Sequence, residues 1–162
     1  MKNIREYFSE CFEAEKPKFL RVFRALPADK CGYRPHERSQ CASDLVWMLA
    51  RELEDACVLL KNGEVDFKML PAPATVGESI ATYEKNAAEL EHLLKASSDA
   101  AWEKPAKFKV DGNVAWETSL GDMLWGFLFD AIHHRGQLST YIRPMGGKVP
   151  AIYGPSADDP GM

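Results

Sequence analysis

Four stretches of this chain repeat apolar side chains every three to four residues, and most end at a proline or glycine signal, so the fold has to bury four helical stripes at once. The first runs from Asn3 to Leu26 on Ile4, Phe8, Cys11, Phe12, Phe19, Val22, Phe23 and Leu26. Pro17 is expected to kink or split it, because proline lacks the amide proton of a helical hydrogen bond. The second starts at Ser43-Asp44, continues through Leu45, Met48, Leu49, Leu53, Ala56 and Leu59, and stops at Asn62-Gly63. A third spans Val76 to Ala96 on Ile80, Tyr83, Ala87, Leu90 and Leu94. The last starts near Ser119 and reaches Arg143, where Pro144 and Gly146-Gly147 end it.

The connections carry their own signals. Pro27 to Gln40 reads as a long loop, and Leu70-Pro71-Ala72-Pro73 as a second. Between Lys107 and Trp116, Asp111-Gly112 separates two short apolar-alternating runs, which predicts a β-hairpin. Four stripes long enough to cross a small domain pack most simply against one another. The expected fold is therefore all-α: an up-and-down four-helix bundle over a single domain, residues 1–162, with a small β-hairpin before the last helix and an irregular tail from about residue 144.

Charge narrows the function classes. Acidic and basic residues are interleaved and sum to −4, which leaves no basic stripe for a phosphate backbone, so nucleic acid is not an expected partner. No run approaches the roughly twenty apolar residues that span a bilayer, and the N-terminal residues lead into an amphipathic pattern rather than a signal peptide. Neither a membrane nor an export route is expected, which points to the cytoplasm. Cys11, Cys31, Cys41 and Cys57 form no C-x-x-C pair, and Cys11 and Cys57 read as small buried hydrophobes.

Chemistry concentrates on two helices. On the last, Asp130 and His134 stand one turn apart on the same flank, where they could share an ion or bond each other. On the second, Glu52 falls near the middle of the apolar face, with Met48 on its edge. An ionised carboxylate facing a core is costly unless paired or metal-bound, so Glu52 reads as a ligand, a base or the partner of a buried cation. A second apolar strip on the last helix, Trp125, Leu128, Phe129 and Ile132, points elsewhere and offers a dimer surface. His36 and His92 receive no role.

The run Asp130-Ala131-Ile132-His133-His134-Arg135-Gly136-Gln137-Leu138 resembles the final-helix signature of the DinB-like family. The tail Val149 to Asp158 is similar to the ending of one branch of that family, and Ala25 to Leu45 is similar to its first interhelical connection. The resemblance implies a divalent metal, often nickel or zinc, held by one histidine from helix two and two at i, i+4 on the last helix. His134 fits the last of these positions, but Asp130 and Met48 stand at the other two, and a thioether is a poor ligand for such ions. Two readings stay open. Glu52 could join Asp130 and His134 around zinc, nickel, iron or manganese, or the site is metal-free and Asp130 holds His134, which is the preferred reading because two ligands are replaced. Arg135, Gly136 and Gln137 read as structural, with Gly136 allowing a close approach.

The resemblance implies a metal-dependent thiol S-transferase or thiol-dependent isomerase, in which a low-molecular-weight thiol attacks a small electrophile and Glu52 or Asp130 moves protons. Met48, His133 and Tyr141 would then line the ligand pocket. The alternative is a non-catalytic homodimeric bundle of a stress response that binds a small ligand or a partner protein.

Overall fold

The structure, a computed structural model, describes residues 3–161. Helix α1 covers Ile4–Arg24, and the Asn3 side chain starts it by accepting from the Glu6 amide at 2.8 Å. It runs unbroken through Pro17 rather than splitting there. Pro17 and Glu13 are both exposed, so water can reach the carbonyl that loses its amide partner. A 3-10 turn at Ala28–Lys30 leads to α2, Ala42–Asn62. This helix begins just before the expected Ser43, with Cys41 at its cap, and ends on Gly63 in the left-handed region at φ 73°.

Strand β1, Glu64–Phe67, follows at once. Helix α3, Val76–Ala96, opens with a reciprocal Thr75–Glu78 capping box, and a short α4, Asp99–Trp102, follows it. Strands β2, Pro105–Val110, and β3, Asn113–Ser119, then form the expected hairpin around Asp111 (φ 50°) and Gly112 (φ 79°). Ser119 caps α5, Leu120–Ile142, through the Asp122 amide at 3.1 Å.

The molecule is thus mainly helical, but the hairpin does not stand alone. It is part of a three-stranded sheet of order β1-β2-β3, with β1 parallel to β2 and β2 antiparallel to β3. Val65 lies opposite Phe108, and Phe108 opposite Trp116.

Helix α1 packs on α3 and α5, and α2 on the same two, so the four long helices enclose one apolar cluster. Phe19, Phe23 and Tyr83 form an aromatic knot in it, with Tyr83 edge-on to Phe23 at 5.1 Å. Asn86 crosses from α3 to donate to the Ala50 carbonyl at 2.9 Å. Two glycines of α5 admit tryptophans: a Cβ on Gly121 would sit 2.0 Å from the Trp102 indole, and one on Gly126 2.4 Å from that of Trp116. Gly136 makes no close approach, contrary to expectation, since a Cβ there would meet nothing within 4 Å.

The tail has no regular element but is tied down. Asp158 accepts from Arg143 at 2.8 Å and from the Val149 amide at 3.0 Å, and Asp159 accepts from the Ala151 amide at 2.8 Å. Arg135, only 1 % exposed, donates to Glu15 of α1 and to the Tyr153 hydroxyl at 2.6 Å, and that hydroxyl donates to Glu15 at 2.8 Å. The guanidinium also lies 4.6 Å from the Phe19 ring centroid, which accounts for a buried cation in an apolar cluster. No helix among the described residues is long and apolar enough to cross a membrane.

Candidate functional site

The site is built where α2 and α5 pass beneath the sheet. The helical repeat places Met48, Glu52 and Asp55 along one flank of α2, and α5 contributes Gly126, Phe127 and Asp130. Between them lies a cleft of about 410 Å³ whose remaining walls are Phe67 of β1, Phe108 of β2 and Trp116 of β3. Phe67 and Phe108 are 5.9 Å apart by ring centroids, and Phe108 meets Phe127 edge-on at 5.7 Å. Trp116 can lie over α5 because Gly126 has no side chain to displace it. A second cleft of about 310 Å³, lined by Gln40, Trp47, Arg51 and Leu70 among others, shares Met48 and Phe67 with the first.

Glu52 is the chemical centre of this cleft. The residue as a whole is half-buried, yet its Oε2 is sealed from solvent and has no hydrogen-bond partner. Burial first, then the charges of Asp130 and Asp55, holds its carboxyl well above the usual carboxylate range. Glu52 also lines an inner cavity of about 20 Å³ together with Tyr83, whose buried hydroxyl likewise lacks a partner. That volume is about one water molecule. Asp55, 6 % exposed, is pushed up to about 6 by burial against the opposing pull of Arg51. It escaped notice in the sequence, although its position three residues after Glu52 places it on the same flank.

The other expected residues divide. Asp130 lines the cleft and its Oδ2 lies 3.3 Å from His134 Nε2, so the pairing read from the i, i+4 step is present. His134 itself does not line the cleft: its Nδ1 faces Gln137 Oε1 at 3.1 Å. Gln137 in turn donates to the Tyr141 hydroxyl at 3.0 Å, and Tyr141 contacts the Gln40 carbonyl at 3.4 Å. Tyr141 is buried in this chain, and His133 is exposed, packing edge-on to His134 at 5.1 Å between centroids, so neither lines the cleft.

These donors, as arranged, do not fit a three-ligand divalent metal. Met48 offers a thioether, both His134 nitrogens are engaged along the helix, and no three His, Cys, Asp or Glu side chains among the described residues form a group that could hold an ion. All four cysteines are free thiols, and burial pushes that of Cys57 up to about 11, an inert rather than a nucleophilic state.

The fold has close counterparts among solved structures. A DinB-like protein of Bacillus cereus superposes with a TM-score of 0.75 at 15 % identity, covering 91 % of this chain and 97 % of its own. A DinB-like protein of Bacillus subtilis gives 0.69 at 16 % identity, covering 86 % and 92 %. The mycothiol-dependent maleylpyruvate isomerase gives 0.56 at 14 % identity; the match covers 91 % of this chain but 64 % of that longer one. No curated protein matches the sequence. The sequence profile of the DinB family matches residues 1–161, which is nearly the whole chain, and the chain belongs to the DinB family.

Proposed function

We propose that this DinB-family protein binds a small molecule in the cleft between α2, α5 and the sheet, with Glu52 as a protonated acid at its floor and no three-histidine metal centre. The observation that carries the reading is the sealed, unpartnered Glu52 Oε2 beside Asp130 in a cleft large enough for a ligand. A ligand in the cleft would complete the hydrogen bonding of such a carboxyl or take its proton. Asp130, less buried and paired with His134, is the acceptor through which that proton could leave.

Two measurements test the reading. Elemental mass spectrometry of protein purified without a metal-binding tag should find well under one equivalent of nickel, zinc, iron or manganese per chain, before and after incubation with each ion. A stoichiometric metal lost in His134→Ala would refute the metal-free part. A fragment library screened by ligand-observed NMR should give hits displaced by Trp116→Ala; hits indifferent to that change would move the site elsewhere.

A second reading keeps thiol chemistry. The shared fold of the mycothiol-dependent isomerase supports it, and here Glu52 would protonate an electrophile as a thiolate attacks. Loss of a low-molecular-weight thiol in the presence of small electrophiles, abolished by Glu52→Gln, is the assay that separates it from simple binding. We also read the long helices as an up-and-down bundle that pairs with a second copy in the cytoplasm as part of a stress response. Phe129, 62 % exposed and stacked on Trp125 at 5.5 Å, supports such a dimer face. Light scattering would measure the mass.

A further inference from the structure

We propose that the ligand of this cleft is an organic ammonium cation with an apolar body. The inference rests on the reading of the cleft as a small-molecule site and adds the charge and character of what enters it.

Three carboxyl groups from two helices, Glu52, Asp55 and Asp130, line the cleft, and no lysine, arginine or histidine lines it with them. The nearest cation on α2, Arg51, is turned to Glu54 and lines the neighbouring cleft instead. An acidic cluster alone would mean little, because solvated carboxylates repel only weakly. Here one of the three is sealed and unpartnered at Oε2, and a second, Asp55, is 6 % exposed. Glu52 has been removed from water without a partner, and Asp55 with only Arg51 to offset its burial; a cation in the cleft would supply the missing compensation.

The walls decide what kind of cation. A bare divalent ion needs several donors within about 2.0–2.6 Å, and no three acidic, histidine or cysteine side chains among the described residues are grouped for that. The opposite sides of the cleft are aromatic. Phe67, Phe108 and Phe127 form a continuous row at 5.9 Å and 5.7 Å, and Trp116 contributes an indole that is 38 % exposed. Aromatic faces attract diffuse organic cations and pack apolar carbon, while carboxyls attract the charge. An anion would be repelled by Asp55 and Asp130, and a neutral apolar molecule would leave the sealed Glu52 carboxyl unmatched. About 410 Å³ suits one such molecule.

The test uses the whole protein and three probes of similar size and different charge: benzyltrimethylammonium, benzyl alcohol and phenylacetate, titrated by calorimetry and ligand-observed NMR. The cation should bind roughly ten-fold more tightly than the alcohol, as one cation–π and charge contact of about 1.4 kcal/mol implies, and phenylacetate should bind most weakly. Asp130→Asn, which removes a charge at nearly constant shape, and Glu52→Gln, which removes the proton that an entering cation would displace, should each bring the cation down toward the alcohol's affinity and leave the alcohol within about two-fold by the same reasoning. Trp116→Ala should weaken both. Equal binding of cation and alcohol would overturn the proposal while leaving a small-molecule cleft, and so would preference for phenylacetate. Loss of cation binding of the same size in Glu84→Gln, on the exposed Arg24–Glu84 pair, would show bulk charge attraction and also overturn it. If none of the probes binds, the ammonium assignment falls; if the fragment screen is also blank, the binding reading falls with it.

Discussion

Replacing Asp55 by asparagine is expected to stabilise the fold at neutral pH and leave it nearly unchanged in acid. Burial lifts this carboxyl from its ordinary 3.8 to about 6, so between those values the folded chain holds a proton that the unfolded chain releases. Stability therefore falls as pH rises through that window and stays reduced above it. Taken at face value, about 1.4 kcal/mol per tenfold change in proton affinity makes the penalty about 3 kcal/mol. The carboxyl keeps some contact with the cleft and lies near Arg51, and allowing for that screening brings the figure to about 2 kcal/mol. Asparagine keeps the shape and removes the charge, so urea denaturation at pH 7.5 should favour Asp55→Asn by about 2 kcal/mol, or roughly 4–8 °C in Tm for a domain of this size. At pH 3.5 the two proteins should coincide. A difference that does not vary with pH, or a loss of stability at pH 7.5, would refute the claim that burial outweighs the pull of Arg51 on Asp55.

Further expectations follow from single contacts. Arg135→Ala leaves the Glu15 carboxylate with Lys18 and Tyr153 alone and opens a hole beside Phe19, and should destabilise by about 3 kcal/mol in denaturant titration. Glu15 itself, which burial would raise but hydrogen bonds from Lys18, Arg135 and Tyr153 hold below the usual range, should lose its contribution as pH falls through its folded pKa. Gly126→Ala would drive a methyl group into the Trp116 ring, so the indole must move; Trp fluorescence should shift to the red, and the helix-propensity gain of about 1 kcal/mol should not appear in Tm. Tyr83→Phe removes a buried hydroxyl without a partner and should be neutral or stabilising by up to about 1 kcal/mol; a loss beyond that would place an ordered water between Tyr83 and Glu52.

The parts of this molecule that are local in sequence were legible in it. Ser119 and Gly63 mark helix ends by side-chain or backbone capping, and each does so in the structure. Glu52 stood out as a carboxyl on an apolar stripe, and Asp130 with His134 as an i, i+4 pair. What escaped is long-range. Glu64-Val65-Asp66-Phe67 alternates as a strand should, but four residues are too few to distinguish from loop, and pairing with β2 spans more than forty positions from Glu64 to Lys107. The aromatic walls depend on that pairing, because Phe67 reaches Phe108 only when β1 lies beside β2. His134 could not be placed by spacing alone either, since its ring answers to Gln137 as well as Asp130.

The clasp of Glu15, Arg135 and Tyr153 joins positions 120 and 138 apart along the chain. A ribosome making this protein from the N-terminus therefore releases α1 with only Lys18 of the same helix to neutralise its inward-facing carboxylate. Until α5 has emerged with Arg135 and the tail with Tyr153, α1 can form as a helix but its carboxylate lacks two of its three donors. Completion of the clasp thus waits on α5 and the tail, and a nascent chain halted before Arg135 would present its aromatic residues to chaperones rather than to one another.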